Sequence, residues 1–81
     1  MKQIPVKFKN LKDAKNHVQI AQLYDFDVKL ISGNYIVNAK SILGIFTLPQ
    51  FDNVKFQIDT DDIDDIENIK KQLKKLDLLD E

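Results

Sequence analysis

The chain has no cysteine, which excludes disulfides, thiolate catalysis and thiolate metal sites together. It has no arginine either, and all 12 basic residues are lysines. Arginine's planar fork suits guanine edges and phosphates, whereas lysine offers a point charge. Set against 13 acids, these lysines leave a formal net charge of −1, so the basic patch of a nucleic-acid binder is missing too. No nucleic-acid partner is expected. No stretch approaches the ~20 apolar residues of a membrane span. Met1 to Lys9 alternates and carries charge instead of running apolar like a signal peptide. These absences point to a soluble, cytoplasmic protein without a membrane partner.

Metal sites are equally poor in ligands. One histidine and no cysteine leave a zinc centre short of its usual ligands. The acidic run Asp59-Thr60-Asp61-Asp62-Ile63-Asp64-Asp65 lacks the turn glycine of a calcium loop. It also puts Ile63 in a ligand slot and Lys70 where the bidentate glutamate belongs. It reads as the solvated start of a helix. No metal and no cofactor is expected. A chain of 81 residues supports one domain (residues 1–81) and one core, burying roughly 60–65% of its unfolded surface. On that scale a surface site is the default.

What is present is periodicity. In Gln3 to Lys9, Ile4, Val6 and Phe8 alternate with Pro5, Lys7 and Lys9, the pattern of a strand with one wet face. Pro5 cannot donate to a ladder, which suits an edge or a strand's beginning. From Asn10, a good N-cap, a helix is predicted to about Tyr24. Its stripe is Leu11, Ala14, Val18 and Ala21, with His17 beside it, and the small alanines allow close approach to a sheet. Asp27 to Ser32 and Tyr35 to Asn38 flank Gly33-Asn34, a hairpin signal. Ser41 to Thr47 has room for two helical turns, capped by Ser41 and stopped by Pro49. Asn53 to Asp59 alternates again through Val54, Phe56 and Ile58. Asp62 to Leu76 carries the stripe Ile63, Ile66, Ile69, Leu73 and Leu76, acids early and lysines late, with Glu67–Lys71 as an i,i+4 pair. The order β-α-β-β-α-β-α with one apolar face per strand implies an α+β sandwich with helices on one side.

The middle of the chain carries a family resemblance. Asp27-Val28-Lys29-Leu30, Gly33, and Val37-Asn38-Ala39-Lys40-Ser41-Ile42-Leu43-Gly44-Ile45-Phe46-Thr47-Leu48 resemble the regulatory-serine region of HPr, the histidine-containing phosphocarrier of the bacterial sugar phosphotransferase system. Gln19, Ala21 and Tyr24 fit that family's first helix without a gap, and a helical tail ending near Leu78-Leu79 agrees. The resemblance implies the HPr-like open-faced β-sandwich, a four-stranded antiparallel sheet with three helices on one face. The family's Gly-Ile-His-Ala-Arg-Pro-Ala motif meets Phe8-Lys9-Asn10-Leu11-Lys12-Asp13-Ala14 here. Asn10 thus falls at the phosphoacceptor histidine, Lys12 at the arginine and Asp13 at the proline.

That alignment sets the functional expectation. An imidazole nitrogen can attack phosphorus, but an amide nitrogen has its lone pair delocalised into the carbonyl. No phosphoryl relay and no enzyme activity are expected, and His17 reads as a partly buried histidine satisfied by a neighbour. By resemblance Ser41 is a kinase-modified regulatory serine as well as a cap, with Lys40 beside it to favour the phosphate. Ile42, Leu43 and Phe46 then form a docking patch rimmed by Lys12, Lys15 and Gln19, against the plainer alternative that all three apolar residues are core. The implied partners are proteins: HPr kinase, phosphotransferase components or a transcription regulator, with the chain a monomer or weak dimer. Three roles stand side by side. They are a regulatory or docking module like the catabolite-repression paralogues that lack the histidine, a phosphocarrier using another acceptor, and a structural scaffold subunit.

Overall fold

The computed structural model describes residues 2–48 and 53–80. In chain order the elements are β1 (Lys2–Pro5), α1 (Leu11–Gln22), β2 (Val28–Ser32), β3 (Tyr35–Asn38), α2 (Ile42–Ile45), β4 (Lys55–Ile58) and α3 (Ile63–Lys75). The strands form one sheet ordered β1-β4-β2-β3, every neighbouring pair antiparallel. The register follows from the alternation. Ile4 stands opposite Phe56, Phe56 opposite Leu30, and Leu30 opposite Val37, so one apolar row crosses the whole sheet. The next row, Gln3–Gln57–Lys29–Asn38, faces the other way, and there Gln3 Nε2 donates to Gln57 Oε1 at 2.9 Å. One face is therefore wet, and the three helices cover the other with Ala14 and Ala21 of α1, Ile45 of α2 and Ile69 and Leu73 of α3, all fully buried.

The helix ends depart from the predicted stripes. Leu11, Ile63 and Leu76 are exposed at 50%, 64% and 44%. Strands of four or five residues span about 13–17 Å, while helices of 12 and 13 residues run about 18–20 Å. The helices overhang the sheet, and periodicity alone continues an apolar stripe past the point where anything lies beneath it. The segment after Ser41 makes one helical turn, Ile42–Ile45, instead of two. Pro49, its predicted stop, lies outside the described residues. Glu67 meets Lys70 at 4.0 Å, one residue short of the expected Lys71.

The strand predicted through Lys9 stops at Pro5, with one further bond to the β4 side from Val6 N–H to Val54 O at 3.0 Å, and the tail predicted as helix is extended. After Lys75, Asp77 adopts φ 57°, Asp77 N–H donates to Lys74 O at 3.1 Å and Leu78 N–H to Leu73 O at 2.8 Å. This is a Schellman termination with Asp in the left-handed position. The extended tail then runs beside the exit of β1: Val6 bridges Leu79, Lys7 N–H donates to Leu78 O and Asp80 N–H to Pro5 O. The β1 edge is thus closed by a proline and a paired tail, as an edge strand requires.

β2 and β3 join through Gly33-Asn34, with Ser32 paired to Tyr35. Gly33 has φ +60° and an added Cβ there would meet nothing within 4 Å. The glycine is thus held by backbone conformation alone. Gly33→Ala is expected to lower unfolding free energy by about 1–2 kcal/mol. A urea titration showing no loss would exclude the left-handed turn.

Candidate functional site

Helix α1 begins with reciprocal side-chain caps. Asn10 Oδ1 accepts from Asp13 N–H at 3.0 Å, and Asp13 Oδ2 accepts from Lys9 N–H at 2.8 Å. This is a variant of the capping box, with the returning bond made to the residue before the cap instead of to the cap itself. The N-x-x-D spacing is the sequence signal for it, beside the alignment that puts Asp13 at the family's proline. Asn10 itself is exposed.

His17 lies on the sheet side of the same helix at 0% exposure. Its ring stacks on Phe8 at 5.6 Å between centroids, with Phe56 at 5.7 Å. Its Nε2 stands 2.9 Å from the Lys7 carbonyl oxygen. A carbonyl only accepts, so Nε2 carries the hydrogen and the neutral ring leaves Nδ1 as the acceptor. Nδ1 is buried without a hydrogen-bond partner among the described residues. Burial pushes the imidazole below its ordinary pKa, and the Lys7 carbonyl and the Asp13 carboxylate oppose that shift without overcoming it. The ring is core, more deeply buried than its sequence position implied.

The short helix α2 starts at Ser41, whose Oγ accepts from Gly44 N–H at 3.1 Å. Thr47 Oγ1 donates to Gly44 O at 2.6 Å, closing the turn at its far end. Ile45 and Leu48 go into the core while Leu43 and Phe46 stand 77% and 51% exposed and Ile42 is half-buried. The apolar trio predicted here is therefore divided, with Leu43 and Phe46 on the surface. Gln22 Nε2 donates to Lys40 O at 3.1 Å, and Lys40 Nζ donates to Tyr24 O at 2.7 Å. These bonds tie the entry of α2 to the end of α1, and they direct the Lys40 ammonium to a backbone carbonyl.

Lys12, Lys15 and Gln19 are all exposed, but they do not share one flank. Lys15 lies seven residues before Gln22, two turns along the side that meets Lys40. Gln19 instead lines a groove between α1 and α3, together with Leu23, Gln72, Lys75 and Leu76. Leu23 is 67% exposed, and sequence reasoning gave it no role. Its place one turn after Gln19 was the available signal. Among the described residues no group of three or more histidine or acidic side chains could hold a metal ion, and no helix is long and apolar enough to cross a membrane. Of the acids before α3, Asp62 is the cap: its Oδ1 accepts from Asp64 N–H at 2.9 Å, while Thr60 Oγ1 accepts from Asp62 N–H at 3.2 Å.

A four-stranded antiparallel sheet under three helices, with side-chain-capped starts at Asn10 and Ser41, defines an HPr-like open-faced sandwich. Solved structures agree. The histidine-containing phosphocarrier protein of a Mycoplasma has a TM-score of 0.72 at 19% identity, over 99% of this chain and 98% of its own. HPr-C-His from Thermoanaerobacter tengcongensis has a TM-score of 0.68 at 32% identity, over 94% and 90%. Crh, the Bacillus subtilis catabolite repression containing protein, described as a domain-swapped dimer, has a TM-score of 0.60 at 24% identity, over 89% and 85%. No family model and no curated protein sequence matches. With one-third of its residues shared along nearly its full length with HPr-C-His, the chain belongs to the HPr-like family.

The buried imidazole has a consequence for stability. Its folded pKa is lowered, so below about pH 6.5 the unfolded chain takes up the proton first. The stability this neutral ring contributes is present above that pH and is lost as pH falls toward the folded value. Denaturant titrations at pH 7.5 and 5 are expected to show wild type losing more stability on acidification than His17→Leu. Equal losses would exclude the lowered pKa.

Proposed function

We propose that the protein is a regulatory or docking member of the HPr-like family in which no histidine accepts phosphate. The observation that carries this is the position of its one histidine. The His17 ring has no exposed surface, and Nε2, its hydrogen-bearing nitrogen, is committed to Lys7 O. Phosphoryl transfer needs an exposed nucleophilic nitrogen in line with the donor. At the α1 start, where the family resemblance puts the phosphoacceptor, Asn10 offers a non-basic amide whose oxygen already accepts a backbone bond. The Asp13 carboxylate fixed beside it repels an incoming phosphate.

Ser41 is the proposed regulatory site. Its oxygen uses one lone pair to cap α2 and keeps another to attack the γ-phosphorus of ATP held by a kinase, with ADP leaving and the hydroxyl proton passing to the kinase's base. A phosphate there adds about −1.5 to −2 charges next to exposed Leu43, so a modified and an unmodified α2 present different surfaces to a protein partner. The docking patch is Leu43 and Phe46 with the half-buried Ile42. Lys15 lies on the flank of α1 nearest to it, Lys12 and Gln19 stand further round that helix, and Lys40 belongs to the bonded seam behind it. The proposed setting is the bacterial cytoplasm, alongside components of the sugar phosphotransferase system.

Two measurements test this. Incubation with the general phosphotransferase enzyme and phosphoenolpyruvate is expected to leave the mass unchanged. An acid-labile phosphate on the chain would instead establish a carrier with another acceptor. Incubation with HPr kinase and ATP is expected to add one phosphate, lost in Ser41→Ala. No addition to wild type would reduce Ser41 to a helix cap.

A further inference from the structure

Helices α1 and α3 lie side by side and run in opposite directions. Lys7, before α1, pairs with Asp77, after α3, at 3.2 Å. At the other end Asp27, which follows α1, accepts through its backbone carbonyl from the N–H of Asp59, which precedes α3, at 3.0 Å. Between their outer sides runs an open groove of about 340 Å³ with Gln19 and Leu23 on one wall, Gln72, Lys75 and Leu76 on the other, and Ile20 among its lining. Leu23 and Leu76, 67% and 44% exposed, are large apolar side chains that no described residue covers. This face is distinct from the α2 patch.

Charge along the helix pair is sorted by sign. Helix α3 opens with Asp61, Asp62, Asp64, Asp65 and Glu67 and closes with Lys70, Lys71, Lys74 and Lys75. Because α1 runs the other way, its early lysines, Lys12 and Lys15, join the lysine end of α3. Asp25 and Asp27 follow α1, and Asp59 N–H, just before α3, donates to Asp27 O at 3.0 Å, which holds the acids together at the opposite end. Two ridges face the groove. Lys12 stands seven residues before Gln19 on α1, and Asp64 stands eleven residues before Lys75 on α3, spacings that return to the same side of a helix. The Asp64-to-Lys75 separation is about 16 Å along the axis.

A uniformly acidic or uniformly basic partner would be attracted at one end of this face and repelled at the other. The surface that matches it is apolar in the middle and bears the same two poles reversed. A second copy turned by a two-fold axis perpendicular to the helices presents that pattern. We infer that two copies of this chain associate groove to groove through the α1–α3 face, the lysine end of each against the aspartate end of the other. Such an isologous contact is self-complementary and closes at a dimer. Two helices about 20 Å long and 10 Å apart offer roughly 400 Å² of face. That is below the ~800 Å² per partner of a stable interface, so the dimer is weak, with a Kd of about 0.1–1 mM and a strong dependence on salt.

Sedimentation velocity from about 0.02 to 1 mM chain, at low and at high sodium chloride, reads this directly. The dimer fraction should rise with concentration and fall with salt, and Leu23→Asp should weaken association about tenfold. Lys75→Glu and Asp64→Lys should each self-associate less than wild type, while their equimolar mixture recovers dimers, because the swapped charges then face opposite signs. Both charge substitutions are at exposed positions, and circular dichroism of each variant confirms that it is folded. Ile42→Asp, on the α2 patch, should leave association unchanged, which separates this inference from the proposed docking role. Three results would overturn it. One is a monomer at every concentration in low salt. Another is a mixture no better than its components. The third is association that survives Leu23→Asp and disappears in Ile36→Lys, which would move the contact to the uncovered β3 edge.

Discussion

The α1 end of this molecule is organised by one backbone residue held from two sides. The Lys7 carbonyl accepts from the His17 ring, and the Lys7 N–H donates to Leu78 O. Strand exit, first helix and C-terminal tail meet there. Each bond of this kind contributes about 1 kcal/mol net, but leaving either buried group unpaired would cost more. The junction fixes where the chain leaves the sheet, and so where Asn10 can cap α1. It also consumes the one imidazole that phosphotransfer chemistry would need. Structure and function separate at this point because the ring sits between Phe8 and Phe56, facing the sheet.

Much of this was legible in the chain. Alternation in Ile4-Pro5-Val6 and in Val54 to Ile58 marks half-buried strands, and both enter the sheet with the apolar set inward. Asn10, Ser41 and Asp62 cap the three helices, as short polar side chains before apolar runs do. Gly33-Asn34 made its hairpin. What periodicity could not show is how far the sheet extends under each helix, and so the apolar stripes run on to Leu11, Ile63 and Leu76, which stay largely exposed. The extended tail at Leu78 to Asp80 was also hidden. Its pairing with β1 is a contact between residues more than 70 apart, with no local signature beyond an Asp able to adopt positive φ.

The candidate site was legible in kind and less so in arrangement. Ser41 caps a helix with two exposed apolar side chains, as its sequence context suggests. The flank of α1 on which each polar neighbour lies is set by the helix's rotation on the sheet, which only tertiary packing decides. Gln22, passed over in the sequence, reaches Lys40 O, while Gln19 turns toward α3. The overhang that exposes Leu76 also opens the groove. A helix longer than its sheet leaves apolar ends that monomeric burial cannot use, and these become the surface available to a second molecule.

The strand order has a kinetic side. β1 pairs with β4 more than 50 residues later, and its exit pairs with Leu79. During synthesis the first strand has no partner until β4 emerges, whereas the β2–β3 hairpin can close locally within microseconds. Non-local closure of this sort slows folding, because chain entropy must be lost before the contacts that compensate it exist. The His17 ring is enclosed by Phe8 from the early segment and Phe56 from the late one. The nascent chain therefore carries a solvated, titratable imidazole through most of its elongation and sequesters it only as the sheet is completed.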